Sequence, residues 1–222
     1  MLVERTRVPI HPSFTRERKL DDNLQQTLKQ KSRLIELRFH FSKKRNHSDL
    51  NNYRPISIVP IVAKVFERII CDPVYGYLTE NNLISSQQSG FRLLHSTVTA
   101  LLEATNYWAF NIDKGSVNAV VFLDLKKAFD TVDHTFLLSK LFEYSIRGVA
   151  YEWFRSYLDN RNQQCFVNGS LSNSQILTCG IPQGTILGLL LFILYINDLS
   201  NCLSKSVAGM YADDTQLSDL CQ

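Results

Sequence analysis

Apolar and polar positions fall into two regimes along the chain. In residues 1–45 the apolar positions are sparse, and Leu24, Leu28, Leu34 and Leu37 make only a thin helical stripe within the charged segment Asp21–Phe41. That part is expected to be the least ordered. From Asn51 the texture changes. Tyr53-Arg54-Pro55-Ile56-Ser57-Ile58-Val59-Pro60 is a short β-type run bracketed by prolines. Ile61, Val62, Val65, Phe66, Ile69 and Ile70 then recur at helical spacing up to Pro73, which is expected to break or kink that helix. A second helix fits Ser96–Asp113, with Ser96 as N-cap and Val98, Leu101, Leu102, Thr105, Trp108 and Ile112 along one face.

The second half is richer in strong signals. Val117–Leu125 is a near-continuous β-branched and aromatic run, the composition of a central strand covered on both faces. It closes on Asp124, an acid where that pattern wants an apolar residue. Helices follow around His134–Tyr144 and Val149–Asp159. Gln163–Val167 and Ser174–Thr178 flank Asn168-Gly169-Ser170, a hairpin or loop signal. Gly180-Ile181-Pro182-Gln183-Gly184 is a turn that feeds a helix over Thr185–Leu199. Val207–Tyr211 and Thr215–Ser218 read as two short strands joined by Ala212-Asp213-Asp214. The class is α+β, with few strands and several long helices.

Composition narrows the picture without redirecting it. A chain of 222 residues and 25.5 kDa, 45% hydrophobic and 20% charged, fits one large or two small globular domains and excludes wholesale disorder or a collagen-like rod. The five cysteines are odd in number, dispersed and free of any CxxC pair, which argues against a disulfide framework or zinc knuckle and for a reducing compartment. The formal charge of +3 is unevenly placed: residues 1–50 hold 12 Lys and Arg against 6 Asp and Glu, a basic front of the kind that meets phosphate. A solvated basic extension would look the same. Met1–Pro12 lacks the apolar core of a secretory signal, and the longest apolar run, Ile186–Ile196, is shorter than the about 20 residues that span a bilayer.

The acids at the strand ends carry the candidate chemistry. Adjacent carboxylates repel, and a hard divalent cation with oxygen ligands relieves that repulsion. If the ends of the two β segments lie side by side, Asp124, Asp213 and Asp214 can hold two ions about 3.5–4 Å apart, an arrangement suited to in-line phosphoryl transfer. An isolated Asp-Asp is more often only a polar turn.

Three segments occur in order: Phe122-Leu123-Asp124-Leu125-Lys126-Lys127-Ala128-Phe129-Asp130, then Gly180-Ile181-Pro182-Gln183-Gly184-Thr185-Ile186-Leu187-Gly188, then Tyr211-Ala212-Asp213-Asp214. They resemble motifs A, B and C of reverse transcriptases. Tyr53-Arg54-Pro55-Ile56-Ser57 and Gln88-Ser89-Gly90-Phe91-Arg92 resemble fingers motifs of the non-LTR retrotransposon branch. Phe192–Leu199 and Thr131-Val132-Asp133-His134 are similar to the jockey-like elements in particular. The resemblance covers about residues 46–219 and departs from the family pattern at Thr185, where serine is usual, and at Leu189, where proline is expected.

The resemblance implies an RNA-directed DNA polymerase with a right-hand fold: a palm whose small antiparallel sheet packs on helices, and partial fingers. Asp124 and Asp213 would be the metal-bridging carboxylates, Asp214 their electrostatic neighbour, and Leu125 the donor of a backbone carbonyl. Two Mg2+ ions, with Mn2+ as a substitute, are the implied cofactors. Phe129 would stand under the incoming sugar and leave no room for a 2′-hydroxyl, although by residue type alone it reads as a core aromatic. Gln183 and Gly184 would meet the nucleotide or template base. Arg54 and Arg92 are candidates for the triphosphate, since a guanidinium grips phosphate oxygens bidentately; surface arginines are the plainer reading. His47, His95 and His134 show no spacing that suggests metal or triad chemistry.

An RNA template, a DNA primer and deoxynucleoside triphosphates are the implied partners, with no membrane, and the implied location is cytoplasmic or nuclear. Fingers and palm are expected over residues 46–222, preceded by a basic, poorly defined segment 1–45. Because the chain ends eight residues after Asp214, the thumb is expected to be absent and extension by this chain alone weak. A catalytically inactive retrotransposon-derived fragment that at most binds nucleic acid is the competing expectation.

Overall fold

A computed structural model describes residues 36–42, 53–167, 170–203 and 206–221. Strands β1 (Glu36–Ser42) and β2 (Tyr53–Ile58) pair antiparallel. β1 also runs parallel to β4 (Arg161–Val167), and β4 pairs antiparallel with the short strands β5 (Ser170–Leu171) and β6 (Gln175–Leu177). Part of Asp21–Phe41, expected to be helical, is therefore strand β1: once Leu37, Phe39 and Phe41 are paired into a ladder, local helix propensity is overridden. The rest of that segment lies outside the described residues.

A second sheet has the order β3–β8–β7, all antiparallel, from β3 (Val117–Asp124), β7 (Val207–Tyr211) and β8 (Asp214–Cys221). The expected hairpin is present and lies beside the Val117 strand in the expected antiparallel sense. The expectation of a doubly covered central strand is corrected. β3 is an edge strand, and Val117 (67% exposed) and Phe122 (71% exposed) face outward among the described residues. The helix against it docks through polar groups rather than an apolar face. Asn118 accepts from Asn111 Nδ2 at 2.7 Å and donates to the Trp108 carbonyl at 3.0 Å, while Trp108 Nε1 donates to Ser218 Oγ at 3.1 Å.

Among the described residues five helices surround this frame: α1 (Ile61–Glu80), α2 (Thr97–Asp113), α3 (His134–Glu143), α4 (Val149–Leu158) and α5 (Ile186–Ile196). Pro73 does not break α1, which continues to Glu80. Their starts follow the sequence signals. Ser96 forms a reciprocal capping box with Thr99, Asp133 accepts from the Thr135 and Phe136 amides, and Thr185 Oγ1 accepts from Gly188 N. α5 is apolar all round and buried accordingly, with Leu187, Leu191, Ile193 and Leu194 at the centre of a core shared with Leu78, Leu137 and Phe154. α1 and α3 pack on α5, and α2 lies against β3 and β7. Among the described residues no helix is long and apolar enough to cross a membrane.

Candidate active site

The register of the small sheet assembles the acids. Asp124, the last residue of β3, is the direct cross-strand partner of Asp214, the first residue of β8, and Tyr211 closes the hairpin opposite Asp214. Directly opposed residues of an antiparallel pair lie about 4.5–5.5 Å apart at Cα, with side chains on one face. Asp213 is half-buried in the intervening turn, and Asp124 and Asp214 are exposed. Like charges set directly opposite destabilise a sheet, and a cation between them would offset that cost. Among the described residues no three His, Cys, Asp or Glu side chains gather tightly enough to hold an ion by themselves. Magnesium does not need three: it takes one or two carboxylates and completes its shell with water and substrate phosphate. The hard oxygen donors of Asp124, Asp213 and the Leu125 carbonyl fit that requirement.

The segment after Asp124 turns sharply. Lys127 adopts a left-handed φ of 55°, and Ala128–Thr131 is a single 3-10 turn. It is laced to the glycine-rich turn before α5: Gly180 N donates to the Val132 carbonyl and Ile181 N to the Phe129 carbonyl, each at 2.7 Å. His134 Nε2 donates to the Gly180 carbonyl at 2.8 Å, which gives this histidine a structural job. Gly180 has φ 88°, and a Cβ there would lie 2.8 Å from the Asp130 carbonyl oxygen. Gln183 Nε2 donates to Asp130 Oδ1 at 3.3 Å, and the Gln183 carbonyl accepts from Ser57 N at 2.8 Å. Gln183 therefore joins the Asp124 segment to the strand that carries Arg54. Gly184, exposed and at φ 95°, follows it.

Phe129 is half-buried. Its ring stacks on Phe192 of α5 at 4.1 Å between centroids and meets Phe91 edge-on at 6.4 Å. Arg92 is committed locally, since its Nη1 donates to the Ser85 carbonyl at 3.0 Å and the Gln88 carbonyl at 3.1 Å. Arg54 sits on β2 opposite Phe41. A cleft of about 460 Å3 between α1 and α5 gathers Lys64, Arg68, Asp72, Phe91, Arg92 and Leu189, a charged rim, in which Arg68 pairs with Asp72 at 3.4 Å, over an apolar floor.

Three buried polar side chains outside the candidate set brace these parts. Glu67 of α1 accepts from Ile186 N at 2.8 Å and from the Tyr157 hydroxyl at 3.0 Å, so a carboxylate caps the start of α5. Gln88 Oε1 accepts from Ala212 N at 3.1 Å. Asn197 accepts from Ser85 N and donates to the Leu83 carbonyl and the Tyr144 hydroxyl. Glu67 and Asn197 stood out in sequence only as polar residues beside apolar ones, and Gln88 only as part of the Gln88–Arg92 motif, with no role attached.

A three-stranded antiparallel sheet with acids at adjoining strand ends, backed by helices, defines a polymerase palm. Residues 42–218 match the family model described as reverse transcriptase (RNA-dependent DNA polymerase), and the chain belongs to that family. It is 36% identical over 179 residues to a probable RNA-directed DNA polymerase from transposon BS of Drosophila melanogaster, covering 75% of this chain and 19% of the relative. It is 29% identical over 175 residues to the RNA-directed DNA polymerase from mobile element jockey of Drosophila funebris, again 75% and 19%. The match thus spans about a fifth of those relatives. Among solved structures, telomerase from Candida albicans in complex with a telomeric RNA fragment superposes with a TM-score of 0.58 at 13% identity, over 83% of this chain and 38% of that one. At that identity the likeness concerns the fold.

Proposed function

We propose that the chain is the palm and part of the fingers of a non-LTR retrotransposon reverse transcriptase, which extends a DNA primer on an RNA template. The observation that carries this reading is the register of Asp124 opposite Asp214, with Asp213 in the turn between β7 and β8. In the reaction the primer 3′-oxygen bonds to the α-phosphorus of a deoxynucleoside triphosphate, the bond to pyrophosphate breaks, and the hydroxyl proton leaves to solvent. Asp124, Asp213 and the Leu125 carbonyl hold divalent ions, two Mg2+ in this reading, which when bound neutralise charge on the attacking and leaving oxygens. Asp214 adds negative potential beside them.

The remaining roles follow from placement. Phe129, held by its stack on Phe192, offers a fixed aromatic edge against a ribose 2′-hydroxyl. Gln183 is oriented by Asp130 for the sugar or template base, and Gly184 lets the strand approach the backbone. Lys64 and Arg68 at the cleft rim supply phosphate contacts for nucleic acid. Arg54 is assigned to the triphosphate by the motif it belongs to, whereas Arg92, bonded to two backbone carbonyls, serves mainly as a brace for its loop.

Primer extension on an RNA template with magnesium tests the reading. Asp124→Asn and Asp213→Asn are each expected to abolish incorporation and to leave the circular dichroism spectrum and melting temperature near the parent's. Retained extension in either variant refutes the assignment. Binding of template–primer without extension, also in a longer chain that includes a thumb, would favour the inactive nucleic-acid-binding fragment.

A further inference from the structure

Gln88 is the most enclosed polar side chain among the described residues, at 0% exposure. It lies between α1 and α2 in a segment without regular structure, yet that segment is fastened to the hairpin that bears Asp213. Met210 N donates to the Gln87 carbonyl and Ser89 N to the Met210 carbonyl, both at 2.8 Å, so that Gln88 forms a parallel bridge beside β7. The Gln88 side chain then reaches past the strand end. Its Oε1 accepts from Gly90 N at 2.7 Å and from Ala212 N at 3.1 Å.

Ala212 immediately precedes Asp213 and has a φ of 59°. A residue with a Cβ rarely adopts that left-handed conformation, and it persists only where surrounding groups enforce it. Two groups here do. Gly90 approaches so closely that a Cβ on it would lie 2.1 Å from Ala212 N, and Gln88 Oε1 takes the Ala212 amide proton. Both partners of Oε1 are N–H donors, so the amide can only be oriented with its oxygen towards them. Its Nε2 is then buried with no hydrogen-bond partner in the protein. Burying an unpaired donor is unfavourable, and an apolar side chain would fill the space without that cost. What glutamine contributes is the oxygen.

We infer that Gln88 is a positioning residue for the catalytic carboxylates. By holding the Ala212 amide it fixes the left-handed turn that aims Asp213, and with it the register that sets Asp214 against Asp124. This rests on the reading of Asp124 and Asp213 as the catalytic pair. Without the acceptor, Ala212 relaxes toward ordinary backbone angles and the Asp213 carboxylate swings off its position.

Gln88→Met tests the inference, because methionine roughly keeps the length and volume and deletes the acceptor together with the unpartnered Nε2. In primer extension it is expected to lower kcat on the order of 10²-fold, as a misplacement of about 1 Å does, while KM for the nucleotide stays near the parent's and the melting temperature falls by a few degrees, because the Gly90 and Ala212 amides lose their acceptor. Mn2+ binding, read by electron paramagnetic resonance without substrate, is expected to weaken as well. In an Ala212→Gly background, where the left-handed turn is free of strain, the same substitution should lose much less. Should Gln88→Met fail to fold, Gln88→Asn, whose amide falls one methylene short of Ala212, carries the same expectation. Parental kcat and Mn2+ binding in a folded Gln88 variant overturn the inference, as does an equal loss in both backgrounds. A parent no better than Asp213→Asn in extension and Mn2+ binding refutes the carboxylate reading instead.

Discussion

Glu67 offers the sharpest test of how the glycine-rich turn before α5 is held. The carboxylate is 4% exposed, and it joins three elements: its own helix α1, the first amides of α5, and α4 through Tyr157. Glu67→Ala strands the Ile186 amide and the Tyr157 hydroxyl inside the protein. A charge-assisted bond to a helix amide contributes about 2 kcal/mol and a buried hydroxyl partner about 1 kcal/mol, so the variant should lose about 3 kcal/mol. Glu67→Gln behaves differently. One amide oxygen still accepts from Ile186 N, and the amide nitrogen can donate to the Tyr157 oxygen once that hydroxyl rotates. Only the charge at the helix N-terminus is lost, about 1 kcal/mol. For a chain of this length about 1 kcal/mol shifts the melting temperature by about 2–4 °C, so alanine should lower it by about 6–12 °C and glutamine by about 2–4 °C. Thermal and urea melts followed by circular dichroism read both. An alanine variant that melts with the parent refutes the bracing role. Glutamine as damaging as alanine refutes the claim that hydrogen bonding, rather than fixed charge, does the holding.

Two further outcomes are expected. Phe129→Val removes the ring that stacks on Phe192 and should raise the efficiency of ribonucleotide relative to deoxynucleotide incorporation; an unchanged ratio in single-nucleotide extension refutes the sugar-gate role. Stability should fall at alkaline pH. Burial, with the Asp72 carboxylate second, pushes the Cys71 thiol from 9.0 up to about 11, and burial drives the Tyr157 phenol well above its ordinary 10.0. The unfolded chain therefore gives up these protons first, and stability, full below about pH 9, declines as pH rises through 9 to 11 and beyond. Tyr157→Phe should flatten the upper part of that decline in urea melts taken at stepped pH, and an unaltered slope would contradict it.

What could be read from the chain, and what could not, divides by the distance over which each feature is specified. Asp124 announced itself because an acid closes an apolar β run, and the Ser96 cap because a capping side chain bonds an amide only three residues on. Register needed only the hairpin. The coverage of β3 was misread because Val, Phe and Leu report that a strand forms, not how many faces are packed. α1 shows why. Its sequence holds two helical stripes: Ile61, Val62, Val65 and Ile69, all exposed among the described residues, and Glu67, Ile70, Cys71, Val74 and Leu78, which turn inward. Periodicity alone favours the first at the helix start, because the second begins with an acid. That acid becomes favourable inside through the Tyr157 hydroxyl and Ile186 N, 90 and 119 positions away, just as the Gln88 amide does through Ala212, 124 positions away. At Glu67 the local trace is a polar residue at the head of an otherwise apolar helical face, whereas Gln88, in a segment without regular structure, leaves no such trace. In this chain both braces converge on the turns that flank the acids, so the residues least explained by local pattern are those that hold the site in shape.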